Sequence, residues 1–224
     1  MQATVRTKGY HFGQLRLGAG KWNVYDTDLR VPMRISGPGI ARGSTLGLVG
    51  SHVDLAPTWL GLAGLDTPAD MDGRSLVRGL VDVASSKLPA SVLGHLRRDE
   101  GRQDGALPVG GAYIEYHGLG PTGASSAPWF RQQDAFNNTY RAVRVIDHRQ
   151  GGLGNVLYAE FGNFDFTKVS FHEFFEMDSD RWQMYNVYNT LSASAKAAWA
   201  ERVSKLFACR GAKCKMIDDD ELAM

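Results

Sequence analysis

The sequence predicts an α/β chain that gives way, in its second half, to a small α+β module of antiparallel strands and one helix. Three observations carry this. Glycine is frequent, 26 of 224 residues, which favours a loop-rich chain over a helical bundle. Four β-branched or aromatic runs, 112–117 (AYIEYH), 140–147 (YRAVRVID), 155–161 (NVLYAEF) and 173–177 (EFFEM), are separated by turn residues. Such runs pack well on a pleated, half-buried surface. After them Leu191, Ala195, Trp199, Val203 and Leu206 recur at i, i+4, i+8, i+12 and i+15, one stripe of an α-helix.

The first half reads in order as follows. VPMRIS, 31–36, is a strand ended by the glycine-proline-glycine turn at 37–39. DLAPTWLGLAG, 54–64, is a helix with Asp54 as cap and Pro57 in its first turn. Its expected apolar stripe is Leu55, Trp59, Leu62 and Ala63. LDTPADMDGRSL is a loop with turn chemistry at Pro68 and Asp72-Gly73. Residues 76–100 are ambiguous, with helix expected in part, and 100–111 (EGRQDGALPVGG) read as a linker or mobile loop. In the second half Ser192 or Ser194 caps the helix, whose apolar face is expected on the sheet. The tail IDDDELAM is acidic and reads as disordered. The chain therefore divides near residue 105 into parts 1–105 and 106–214, with 215–224 as tail.

Lys+Arg 25 against Asp+Glu 24 leaves a net charge of +1, so bulk charge argues for no nucleic-acid partner. No apolar run is long enough to span a bilayer. MQATVRTKGYHFG lacks the apolar core of a signal peptide. The two cysteines, Cys209 and Cys214 in CRGAKC, cannot complete a cysteine-only zinc site. They close a small disulfide in an oxidising compartment or stay free thiols in a reducing one.

Several motifs invite a functional reading. Gly118-Leu119-Gly120-Pro121-Thr122-Gly123 has G-x-G-x-x-G spacing, but a dinucleotide site needs a helix at the third glycine. ASSAPWF is a poor helix, so a plain glycine-rich loop is preferred. His172-Glu173-Phe174-Phe175-Glu176 lacks the second histidine of H-E-x-x-H and sits in a strand-like run, where i and i+4 do not meet as on a helix. Asn137-Asn138-Thr139 is a glycosylation sequon, which together with CRGAKC suits a secreted or lysosomal protein. Lys21, between Gly-Ala-Gly and Trp22, is either a solvated lysine or an ammonium that holds a sulfate or phosphate oxygen. His11 is a candidate proton or hydrogen-bond donor to substrate.

The stretch GYHFGQLRLGAGKWNVYDTDLRVPMRISGPGI carries a resemblance. G-Y-H-x-G-Q, a later lysine, Y-[DE]-x-D-[IL]-[RK]-V-P and a G-P-G turn, in that order, resemble the sulfatase family, most of all its N-acetylglucosamine-6-sulfatase and heparan endosulfatase branches. The resemblance continues through VDLAPTWLGLAGL and MDGRSL, and resumes at IEYHGLG, DAFNNTYRAVRVI and CRGAKC. It covers most of residues 9–214, with gaps around 80–110.

The resemblance implies the C-terminal remnant of an alkaline-phosphatase-like α/β catalytic domain, followed by the α+β subdomain. It implies a sulfuric ester hydrolase acting on sulfated glycans in a lysosomal, extracellular or cell-wall setting. The family's nucleophile is a formylglycine made from the cysteine of C-x-P-x-R, and its calcium is held by Asp and Asn. Lys21 matches the lysine that contacts the sulfate, and His11 the histidine near the sugar. The departures are as informative. There is no C-x-P-x-R in this sequence. Thr7 and Lys8 stand where the late calcium ligands belong, and an ammonium repels calcium. Hence this chain is expected to hold neither calcium nor formylglycine, to lack turnover alone, and to be a piece of a longer sulfatase. The other expectation is a non-catalytic module that binds glycan or a sulfatase.

Overall fold

The computed structural model describes residues 2–5, 9–17, 20–47, 49–81, 89–90, 92–94, 110–118, 138–147, 152–211 and 214. The linker at 101–109, most of the G-x-G-x-x-G stretch, Thr7, Lys8, Asn137 and the acidic tail lie outside them.

The first half holds two strands, β1 (Gln2–Val5) and β2 (Met33–Ser36), paired antiparallel from Gln2 opposite Ser36 to Val5 opposite Met33. Between them lies the short helix α1 (Asp26–Leu29). β2 stops at the expected turn, where Gly39 has φ +80° and the Ile40 amide donates to the Gly37 carbonyl. β1 was not legible: QATV is too short to display a period of two, and its pairing is set by β2.

Helix α2 (Leu55–Leu62) forms where expected, but its cap and buried face differ. A 3₁₀ turn, His52–Asp54, precedes it, and Ser51 and Asp54 form a capping box there. The Asp54 carboxylate accepts from the Ser51 and Arg74 amides, so it ties the loop 72–76 to the helix start rather than capping α2. The buried face is Pro57, Thr58 and Gly61, while Trp59 is exposed. Thr58 decides this: its hydroxyl donates to the Asp54 carbonyl and accepts from the Leu76 amide. Helix α3 (Val77–Leu80) follows.

The second half is a four-stranded antiparallel meander, β3 (Gly110–Tyr116), β4 (Tyr140–Asp147), β5 (Gly154–Gly162) and β6 (Val169–Glu176), in that order across the sheet. Each agrees with a sequence run, except that β6 begins four residues early. It is an edge strand whose first half, with Ser170 and Phe171 exposed, shows no burial pattern. Helix α4 (Ala193–Ala208) is capped by Ser192, whose hydroxyl accepts from the Ala195 amide at 3.1 Å.

The sheet is covered on both faces, and that places the site. On one face Trp199 and Val203 of α4 pack on Val143, Val145, Val156, Tyr158 and Phe174. The same face buries a satisfied ion pair: Arg141 meets Glu160 at 2.8 Å, and Tyr158 donates its hydroxyl to the same carboxylate. The guanidinium lies over Phe166 and Phe207, so the charge is compensated on every side. On the other face Val24, Tyr25 and Leu29, from the first half, pack on Ala142, Leu157, Ala159 and Phe175. Near the end of α4, the Cys209–Cys214 disulfide is formed. Gly211 in that loop presses on the Ala69 carbonyl, where a Cβ would stand 2.4 Å away, and its amide donates to Asp72.

Candidate functional site

The stretch from Gly9 to Arg30 folds back on itself. His11 and Gly20 form an isolated antiparallel bridge, with reciprocal amide-to-carbonyl bonds of 2.9 and 3.1 Å. Lys21 therefore leaves the bridge directly, held at its backbone by the residue before it. Gly9 lies against α1: its amide donates to the Asp28 carbonyl, and a Cβ there would stand 2.3 Å from that oxygen. Only glycine tolerates this approach.

His11 has no exposed surface. Its Nδ1–H donates to the Asp28 carboxylate, 2.8 and 2.9 Å from the two oxygens. Asp28 also accepts from the Asn23 amide at 2.9 Å and the Thr27 hydroxyl. The carboxylate thus fixes the imidazole's tautomer and pins both ends of the loop that carries Lys21. Asn138, at the start of β4, donates to the Trp22 carbonyl at 2.6 Å and links that loop to the sheet.

Helix α1 distributes its residues by the ordinary turn of about 100° each. Tyr25 and Leu29 face the sheet. Asp28 points back to His11. Asp26, Thr27 and Arg30 look out to a groove of about 380 Å³. The helix is held on that side by the Asp26 amide donating to Gln183 Oε1 at 2.7 Å and by Arg144 pairing with the Asp26 carboxylate at 3.1 Å.

Beneath Tyr25 lies Glu173 of β6. It is buried, and one oxygen has no hydrogen-bond partner among the described residues. Burial pushes its carboxyl up to about 7, against a smaller downward pull from the Tyr25 hydroxyl that donates to it. Tyr25 is pushed up to about 12, by burial first and then by the charge and hydrogen bond of Glu173. His172, next in sequence, faces the other way and stacks on Tyr188 at 4.5 Å. The strand thus separates the pair that HEFFE had placed together.

The structure accordingly brings Lys21 and His11 into one folded-back segment. Cys209 and Cys214 lie elsewhere, in their disulfide. From sequence, Asp28 is noted with Tyr25, Asp26 and Arg30 beside His11 and Lys21 in a stretch that reads as the lip of a site, Glu173 only within HEFFE, and Gln183 not at all. The one available signal was Asp28, two residues after Asp26 in YDTDLRVP: on a helix such a pair cannot share a face. Among the described residues no group of three or more His, Cys, Asp or Glu is assembled as a metal would require.

No family model matches the chain. It is 30% identical to human N-acetylglucosamine-6-sulfatase (Homo sapiens) over 220 residues, covering 92% of this chain and 35% of that protein. It is likewise 30% identical to the arylsulfatase of Chlamydomonas reinhardtii over 217 residues, 92% of this chain and 29% of the relative. The chain is a sulfatase homologue. Over 69 residues this sulfatase homologue is 49% identical to the putative extracellular sulfatase Sulf-1 homolog of Caenorhabditis elegans, covering 31% of this chain and 10% of that one. A solved structure titled for metabolism of multiple glycosaminoglycans by Bacteroides thetaiotaomicron overlaps 88% of this chain and 33% of its own, at 16% identity and a TM-score of 0.47, too remote to bear on the fold. The homologue spans about a third of the length of the curated relatives that match it throughout. No helix of the described residues is long and apolar enough to cross a membrane.

Proposed function

We propose that this chain supplies the sulfate-facing wall of a sulfatase that acts on sulfated glycans such as N-acetylglucosamine-6-sulfate units. The observation that carries this is Lys21 leaving the His11–Gly20 bridge, with the loop locked by the buried His11–Asp28 pair. In this reading the Lys21 ammonium takes a sulfate oxygen and stabilises the charge that grows as the ester bond breaks. A lysine does this best when its backbone is already fixed, because no reorganisation is then needed at the moment of reaction. His11, enclosed as it is, acts as a positioning residue through Asp28.

Among the described residues, those around Lys21 do not fit the family's calcium, and neither cysteine fits its formylglycine. Calcium takes six to eight oxygen ligands, whereas the Asp28 oxygens are committed to His11, Asn23 and Thr27. Both cysteines are oxidised to a disulfide. In this proposal the nucleophile and metal come from sequence beyond these 224 residues, with 1–105 belonging to the catalytic domain and 106–214 to its C-terminal subdomain. The disulfide supports an oxidising compartment, lysosomal or extracellular, and a glycan at Asn137 belongs to the same reading.

The test is genetic and kinetic. Sequence joined to this chain in the gene should contain C-x-P-x-R. Lys21→Ala in the whole gene product should cut kcat/KM on a sulfate ester about a hundredfold. Wild-type rates in that variant would sink the assignment. The second reading, a non-catalytic glycan-binding module, is favoured by the groove beside α1.

A further inference from the structure

We infer that the groove on the far side of α1 from the His11–Asp28 pair is a separate binding site for an anionic sugar. It rests on the sulfated-glycan reading only for the choice of probe. The groove of about 380 Å³ lies between α1 and the segment after β6, at the lower end of the range of small-ligand sites. Four features of its lining define the ligand.

First, it holds unmet polar atoms. Gln183 is 5% exposed, and its Oε1 is taken by the Asp26 amide, yet its Nε2 has no partner among the described residues. Asn155 presents the complement: its amide nitrogen is spent on Asp178, while its buried Oδ1 has no partner there. A buried donor and a buried acceptor on two lining residues of one groove are costly unless a ligand or water meets them. A hydroxylated ring offers both roles. Second, Arg30 and Arg181 flank the groove with no carboxylate partner among the described residues. The one acidic lining group, Asp26, is already neutralised by Arg144. The rim is therefore cationic and suits a sulfate or carboxylate. Third, Trp182 is 63% exposed and stacked by Arg181 at 4.8 Å. It gives a flat face for the apolar side of a pyranose.

Fourth, Gln183 holds its place against backbone cost, with φ +55° in a non-glycine residue. Positive φ at such a residue persists only where surrounding contacts impose it. The Asp26–Gln183 bond is such a contact, and it joins the two walls of the groove. Asp28 points nearly opposite to Asp26 and Arg30 around α1, and neither Lys21 nor His11 lines the groove, although Gln14 and Leu15 of the segment between His11 and Gly20 do.

The test uses the full 224-residue chain and Trp182 fluorescence, with Trp182→Phe to assign the signal. N-acetylglucosamine-6-sulfate and glucuronic acid should quench it. Uncharged N-acetylglucosamine should bind more weakly, and inorganic sulfate weakest of all. Arg181→Ala, an exposed change, should weaken binding of the sulfated sugar about fivefold. Lys21→Ala, measured alongside, separates the two sites. Affinity lost in Lys21→Ala but kept in Arg181→Ala would overturn the groove and leave the proposed function standing. Equal affinity for inorganic sulfate and the sugar sulfate, or no binding by either sugar, would also overturn it.

Discussion

Glu173 makes the stability of this chain depend on pH in an uncommon direction. Its carboxyl is buried beneath Tyr25, with one hydrogen bond and one oxygen unmet, and is pushed up to about 7. Below about pH 4.5 the carboxyl is protonated folded and unfolded, and it costs nothing. Between that pH and about 7 the unfolded chain releases the proton while the folded chain keeps it. The unfolded state then binds fewer protons, so stability falls as pH rises. Above about 7 both states are ionised and the penalty is constant, about 3 kcal/mol for a rise of this size. Glu173→Gln keeps the shape and the acceptor for Tyr25 but cannot ionise. Urea unfolding of the two chains, followed by far-ultraviolet circular dichroism, should give equal stabilities near pH 4 and a gap opening in favour of Gln by pH 8. Tyr25→Phe removes the one bond to the carboxylate and should shift the midpoint of wild-type loss higher. If Glu173→Gln were equally stable or less stable at pH 8, the carboxylate would have to be solvated or paired in the folded chain, and the reasoning would fail.

Three other outcomes are expected. Asp28→Ala leaves His11 buried without its carboxylate and frees the Lys21 loop, a loss of about 3 kcal/mol in denaturant unfolding; a loss under about 0.5 kcal/mol would mean the pair anchors nothing. Trp199→Ala empties the junction with Tyr158 and Phe174 and should cost about 3–5 kcal/mol, read in the same way. Reducing Cys209–Cys214 opens a short loop and should cost about 2 kcal/mol; a protein whose melting is insensitive to reductant would show that the bridge adds nothing to the contact of Gly211 with Ala69.

Much of the second half was legible in the sequence, and the reason is local. β4 and β5 are buried on both faces, so they read as nearly continuous β-branched and aromatic runs. α4 displays a full stripe over four turns, and Ser192 announces its start. The G-Y-H, Lys21 and YDTDLRVP segments identified the family because their order is specific, whatever they contact. The first half was less legible where a side chain's choice of partner overrode spacing. Thr58 sends α2's Trp59 outward by bonding to Leu76, and Asp54 leaves α2 for the Arg74 amide.

By itself the sequence determined the strand-and-helix order of the second half, the sulfatase kinship and the two residues, His11 and Lys21, around which a sulfate contact is proposed. Only the tertiary structure decided what surrounds them. It enclosed His11 on Asp28, turned Asp26 to Gln183 across 157 positions, and separated His172 from Glu173 by the thickness of a strand. Those outcomes depend on which distant surface each polar group meets when water is excluded. Burial makes an unmet donor or carboxylate expensive, and that cost is invisible until the sheet and α1 are packed together.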